Sequence, residues 1–275
     1  MTASDTGTGT GTLEFSSLVP NRALPADVEE SITAGLIAAL PTLKMGTLFA
    51  HRRDMFREAD LITLATDMTD RTVVGALSSR WCTTPSGGTF LHILTQFVGE
   101  RYQGGIAFPR SWGSHFARLY EHWSRFPDLF VLKTYNPIVY CVMRAFTRVP
   151  GVTFYPEIRA GRDDPDAAER ATEIAKIIAP GHFFDPVSGV IRGIGEPADL
   201  YPALPESRNA DVNAYFASCA RPGDRMLCML SVPTPEAAGM ILEVFGVTPK
   251  TIPVQMARSG VVGLLAGTDG RNGQR

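Results

Sequence analysis

No stretch of this chain approaches the roughly 18 consecutive apolar residues that a membrane-spanning helix requires. The opening Met1-Thr-Ala-Ser-Asp5 lacks a basic region followed by an apolar core, so no secretory leader is expected there and a cytoplasmic protein without a membrane partner is the expectation. Clustered Lys and Arg are also missing. With a net charge of -2 spread along the chain, nothing neutralises a run of phosphates, and no nucleic-acid partner is expected. Cys82, Cys141, Cys219 and Cys228 are far apart and form no C-x-x-C pair, which excludes a zinc knuckle or a disulfide framework by spacing and leaves buried thiols. His51, His92, His115, His122 and His182 lack metal-site spacing, although His115 and His122 share one predicted helix, so no metal is expected. There is no G-x-S-x-G elbow, and Ser114 beside His115 falls mid-helix, which argues against nucleophilic hydrolysis.

What is present is enough apolar residue for a large core. At 275 residues, 44% hydrophobic and 20% charged, the chain suits one large domain or one domain with an appendage. Residues 1–26, with the repeat Thr6-Gly-Thr-Gly-Thr-Gly-Thr12, can bury almost nothing and read as a disordered tail. Asp27 and Glu30 form a capping box for a helix whose face carries Val28, Ile32, Leu36 and Leu40 and which ends at Pro41. A less regular segment from Leu48 to Ala59 carries Arg52, Arg53 and Arg57, either a solvated face or an anion-binding edge.

The character then changes to strand. Leu61–Thr66, Thr72–Ser79 and Phe90–Val98 are separated by turn-forming residues and predict three consecutive antiparallel strands. Trp112, Phe116, Leu119, Tyr120 and Trp123 recur with helical period. Leu129–Thr134 is a strand, and Asn136-Pro137 suits the N-cap and first position of a helix running to about Arg148. Val152–Glu157 reads as a strand, followed by a helix with Ala167, Ala171, Ile174 and Ile178 on one face. Beyond it, Val187–Arg192 and Arg225–Val232 read as strands and Asp211–Cys219 and Pro235–Phe245 as helices. Residues 251–275 carry no clear pattern.

The segment Phe97-Val-Gly-Glu-Arg-Tyr-Gln-Gly-Gly-Ile-Ala107 concentrates the chemistry. A strand runs into two glycines and then a helix, where backbone can approach a ligand closely and the first helical N–H groups form the positive end of a dipole, a natural anion cradle. A dinucleotide site would need G-x-G-x-x-G in a parallel unit, and the preceding hairpins oppose it.

The order helix, hairpin, long strand, glycine turn, helix, strand and Asn-led helix resembles the GNAT superfamily of acyl-CoA-dependent N-acyltransferases over roughly residues 27–158. That resemblance implies an α+β fold with a mixed, mostly antiparallel central sheet flanked by helices, here with a C-terminal α/β extension at 159–250 packed on the core. Arg101-Tyr-Gln-Gly104-Gly-Ile106 is similar to the family's Arg/Gln-x-x-Gly-x-Gly/Ala loop for the coenzyme A pyrophosphate, or, with one residue deleted, Gln103-Gly-Gly-Ile-Ala107 takes that place. The resemblance implies cofactor contacts from Phe97, Val98, Arg101, Tyr102, Gln103, Gly104, Gly105, Ile106, Ala107 and Asn136. The backbone N–H groups near Phe97 and Val98 would polarise the thioester oxygen if the fourth and fifth strands splay apart.

Two positions depart from the family: Ile106 stands where a small residue is usual, and Met143 stands where members often carry a Tyr that protonates the departing thiolate. Tyr140, one turn earlier, is the nearest phenol, either a general acid or core packing. Glu100 at the mouth of the turn is the candidate base for the attacking amine, or a partner for Arg101. Arg80, Trp81 and Glu157 are candidates for the acceptor pocket. The implied activity is acyl transfer, in the simplest case of acetyl from acetyl-CoA, to the amine of a small molecule. The alternative is a GNAT-like protein that binds acyl-CoA or an acyl carrier as a sensor, or runs another thioester reaction. The C-terminal elements can complete the sheet, form a lobe over the acceptor site or serve as a homodimer surface.

Overall fold

A computed structural model describes residues 12–20, 24–158 and 165–247. Among the described residues nine strands form one sheet: β1 (Leu13–Leu18), β2 (Leu61–Asp67), β3 (Thr72–Thr83), β4 (Thr89–Val98), β5 (Leu129–Thr134), β6 (Thr153–Tyr155), β7 (Phe184–Asp185), β8 (Val190–Ile191) and β9 (Arg225–Ser231). Their order is β1-β2-β3-β4-β5-β9-β8-β7, with β6 also on β9, and every pair is antiparallel except β4 and β5. The fold is α+β, with a mostly antiparallel sheet covered by helices on both faces.

Alternation along the strands decides which face each side chain meets. Leu61, Leu77, Ile93, Phe130, Leu132 and Leu230 turn to one face and bury the apolar stripes of α4 (Ala107–Trp123), α5 (Pro137–Ala145), α7 (Ala210–Cys219) and α8 (Pro235–Val244). On the opposite face, Ile62, Leu64, Val73 and Ala76 pack under α1 (Ala26–Ala39), α2 (Met45–His51) and α3 (Asp54–Arg57). Phe90, Val131 and Leu227 on that same face pack under α6 (Pro165–Ile178). A strand covered on both sides needs apolar residues at successive positions, which is why β5 reads Leu-Phe-Val-Leu before its single lysine.

The three expected antiparallel strands form as β2, β3 and β4. Several expectations need correction. Leu13–Leu18, placed in a disordered tail, adds β1 to the sheet edge through six residues of pairing with β2; residues 1–11 lie outside the described residues. Phe15 and Leu18 supply the apolar positions that the Gly-Thr repeat before them lacks. The capping box at Asp27 does not form, because α1 starts after Pro25 with no side-chain cap. The Leu48–Ala59 segment divides into α2 and α3, and of the expected strand Val187–Arg192 only Val190–Ile191 forms, as the second arm of a hairpin with Phe184–Asp185 whose turn leaves Val187 exposed. The C-terminal region does more than pack on the core: β9 pairs with all six residues of β5 and lies inside the sheet. The helix start at 163–164 and the tail at 251–275 lie outside the described residues.

Candidate functional site

The site begins with a failure of strand pairing. β4 and β5 are joined in parallel only from Leu91, His92 and Ile93 to Phe130, Val131 and Leu132. Beyond that point β4 stays with β3 as far as Val98, while β5 stays with β9 as far as Thr134, so the two strands splay apart. A β-bulge sits at the fork: Ser78 faces Thr95 and Ser79 faces Ile93, which leaves Leu94 as the extra residue that bends β4 away. The Gly99 N–H donates to the Val74 carbonyl at 2.7 Å, which fixes the ladder's phase. By the alternation of an antiparallel pair, Phe97 then bonds across to β3, and the amides of Gln96 and Val98 turn toward the gap. This corrects the sequence expectation at Phe97, whose contribution is its side chain on the cavity wall.

The gap is a narrow cavity of about 150 Å³ lined from both faces of the sheet. On the α4 and α5 side its wall is apolar, from Phe108, Trp112, Val139, Val142 and Met143. On the α2 side it is polar, from Arg52, Lys133, Tyr135, Glu196, Tyr201 and Arg225. Two buried donors that line the cavity, Gln96 Nε2 and Trp112 Nε1, have no acceptor among the described residues. An unsatisfied buried N–H costs about 1–3 kcal/mol, so both fit a ligand that brings carbonyl or phosphate oxygens.

The glycine turn joins two residues of the cavity wall, Phe97 and Phe108. A 3-10 turn, Glu100–Tyr102, leads to Gly104, whose φ of +76° is a conformation that glycine adopts without steric cost. Gln103 Nε2 donates to the Val98 carbonyl at 3.2 Å, and the Tyr102 hydroxyl donates to the Asp67 carboxylate, holding that acid down to about 2. Among the described residues no backbone carbonyl accepts from the amides of Gly104, Ile106, Ala107 or Phe108. α4 starts at Ala107 without a side-chain cap, so these amides remain directed out of its first turn, while Pro109 contributes none. Ile106 is 57% exposed, and Arg101 leans toward Asp67 at 4.0 Å and over the Tyr102 ring. Asn136 caps α5, its Oδ1 accepting from the Ile138 N–H at 2.9 Å, and so fixes the helix whose Val139 and Met143 face the cavity.

Neither expected acid–base residue reaches the wall. Glu100 accepts from the Thr42 backbone N–H at 3.0 Å and from the Thr42 hydroxyl, pinning the turn to the end of α1. Tyr140 is fully buried, its ring edge-on to Phe154 and Phe216 and its hydroxyl donating to the Pro156 carbonyl at 2.7 Å; burial pushes the phenol pKa up. The expected acceptor residues are also engaged elsewhere. Arg80 pairs with Glu58, Trp81 lies under the Arg125 guanidinium at 3.8 Å, and Glu157 pairs with Arg144 at 2.8 Å.

The polar wall is built by residues whose signals are weak in the sequence. Lys133 is the one charge in an apolar strand, and that break in pattern is a usable sign. Arg225 opens β9, and Arg52 belongs to the arginine-rich segment read as a possible anion edge. The segment Ile194 to Tyr201 folds over this side, with Leu200 in the α1–α3 core, its carbonyl accepting from the Lys44 N–H at 3.3 Å, and Asp199 paired with Lys44. Burial is the main cause that brings the Lys133 pKa down to about 8, with Arg52 next. No group of three metal-ligating side chains and no helix able to cross a membrane occurs among the described residues.

No protein-family model matches the chain, and no curated protein matches it. A solved structure described as a fungal multi-domain GH3 β-N-acetylglucosaminidase with a GCN5-related glucosamine N-acetyltransferase region is similar at 16% identity and a TM-score of 0.31. The match covers 64% of this chain and 17% of that one.

Proposed function

We propose that the protein is an acyl-CoA-dependent N-acyltransferase that carries an acyl group, in the simplest case acetyl, to the amine of a small molecule. The observation that carries this reading is the fork between β4 and β5, a cavity through the sheet whose wall residues Phe97 and Phe108 flank a glycine turn with amides that no backbone carbonyl takes up among the described residues. A bound acyl-CoA would supply an electrophilic carbonyl on a thiolate leaving group. The chain's own residues would do the rest. Amides of Gly104, Ile106, Ala107 and Phe108 would hold the pyrophosphate, where α4 presents its positive end. Gln96 Nε2 and Trp112 Nε1 would bond the amide oxygens of the pantetheine arm, against the apolar surface of Phe108, Val139 and Met143.

The Gln96 and Val98 backbone amides would polarise the acyl oxygen. The amine, entering from the polar side, would form its bond to the acyl carbon as the carbon–sulfur bond breaks and the electron pair leaves on sulfur. Glu196 is the only carboxylate on the described wall and would take the proton that the amine gives up. A thiol has a pKa near about 8.5, so the thiolate can leave without a proton donor, and the apolar Met143 on α5 is compatible with turnover. Holding amine and thioester side by side supplies much of the acceleration.

Release of free thiol from acetyl-CoA, followed over a panel of small amines, tests the reading. Amine-dependent release that Val139→Trp abolishes is expected. Coenzyme A binding without release under any amine would instead favour the binding-protein alternative.

A further inference from the structure

The polar half of the cavity holds more positive charge than its own acids answer. Arg52 is satisfied, its Nε and Nη2 each donating to Asp54 at 2.8 Å, and Arg80 behind the wall is paired with Glu58. Lys133 and Arg225 make no ion pair of this kind among the described residues, and feel Asp54 and Asp224 only from a longer distance. Lys133 Nζ donates to the carbonyl of Ile178 at the end of α6, at 3.1 Å, and Arg225 Nη1 donates to the carbonyl of Asp224 at 2.7 Å. The Asp224 carboxylate is committed elsewhere, to Arg192 at 2.8 Å and to the N–H groups of Gly193 and Arg221. Glu196, the remaining acid on the wall, is exposed at the rim.

The two cations are also held in place. Gly195 leaves the space that the Arg225 guanidinium fills, since a Cβ there would lie 2.2 Å from its central carbon. The guanidinium sits 5.7 Å from the centre of the Tyr135 ring, and Tyr135 in turn packs on Tyr201. Lys133 is fixed from below by the helix carbonyl. Beneath them His92 in β4 is 1% exposed, neither ring nitrogen has a partner among the described residues, and burial together with Lys133, Arg80 and Arg52 holds it neutral. Two immobilised cations that no carboxylate contacts directly are expensive to bury unless an anion completes the arrangement. A planar guanidinium beside a point-charge ammonium suits an oxyanion with two or more oxygens.

Resting on the acyltransferase reading, we propose that the amine acceptor also carries an anionic oxyacid group, a carboxylate or a phosphate, held between Lys133 and Arg225. The charge would anchor one end of the acceptor on the polar wall and direct its amine through the fork toward the Gln96 and Val98 amides. Neutral amines would lack that anchor. Glu196 at the rim would disfavour a second anionic group there.

Three comparisons test this. Thiol release from acetyl-CoA is measured with β-alanine, with 2-aminoethyl phosphate and with uncharged n-propylamine at equal ionic strength. One or both anionic amines should exceed n-propylamine at least tenfold in kcat/KM, mainly through KM, and which of them leads separates carboxylate from phosphate. In Lys133→Met and Arg225→Met the preference should fall to about twofold or less. Acetate and inorganic phosphate are then titrated against chloride at matched ionic strength into wild type and both variants, read by tryptophan fluorescence because Trp112 lines the cavity. Saturable binding by at least one oxyanion, weakened tenfold or more in the variants, is expected, and a thermal melt of each variant confirms that it is folded. Coenzyme A binding together with equal or better use of n-propylamine would overturn the proposal and leave the acyltransferase reading standing. Absence of any oxyanion binding that depends on Lys133 or Arg225 would overturn it whatever the transferase assay shows.

Discussion

Tyr140 and Lys133 show how one residue's surroundings decide between two readings. Both lie on elements that border the fork, and Tyr140 has the phenol that acyl transfer can use, yet its hydroxyl is spent on Pro156 deep in the core. Tyr140→Phe should therefore lower stability by about 1–3 kcal/mol, the cost of a buried carbonyl left without its donor, in denaturant melts. Amine-dependent thiol release should stay within about twofold of wild type; a drop of about 100-fold, the scale of a lost general acid, would return the role to Tyr140. Lys133 behaves in the opposite way. Its folded pKa of about 8 lies below the ordinary lysine value, so between about 8 and 10.5 the unfolded chain binds more protons and wild-type stability rises with pH. The cost of burying the charge is present in full below that window. Lys133→Met should be the more stable protein at pH 7, by up to about 3 kcal/mol, and its advantage should shrink as pH approaches 10.5. Paired melts at the two pH values check it.

At the scale of elements, the sequence was legible where a single period repeats. β2, β3, β4 and α4 follow their patterns closely, and Asn136-Pro137 starts α5 as expected. The fork itself was not legible, because a bulge at Leu94 changes register without changing composition. The polar wall was missed for a related reason: it is assembled from α2, β5, the segment at 194–201 and β9, far apart in sequence and joined only by the sheet. α4 is tied to that sheet by a buried polar contact that its aromatic stripe does not announce. His115 Nδ1 meets the Thr63 hydroxyl at 2.9 Å and Nε2 meets the Ser79 hydroxyl at 2.8 Å, and full burial brings its pKa down to about 3. The neutral ring bridges α4 to β2 and β3. Since the unfolded histidine titrates near 6.5, wild-type stability should fall as pH drops from about 6.5 toward 3. His115→Leu should lack that component of the slope, which urea melts across the range would reveal.

For the whole molecule, the C-terminal region is the main surprise. Arg225–Ser231 enters beside β5 and carries Arg225 to the cavity, and residues 194–201 close the polar side against α2. A reading confined to 27–158 therefore contains the fork and the glycine turn but only part of the cavity's polar wall. Strand insertion of this kind is hard to see in sequence, since an apolar run such as Met-Leu-Cys-Met-Leu fits any fully covered strand position.

The central claim is that the fork between β4 and β5 holds coenzyme A. Calorimetric titration of coenzyme A into wild type and Val139→Trp addresses it most directly, because the larger side chain fills the cavity from its apolar wall. The account predicts saturable one-to-one binding to wild type and a loss of at least tenfold in the folded variant. No heat of binding in wild type, or equal affinity in the two proteins, would contradict it.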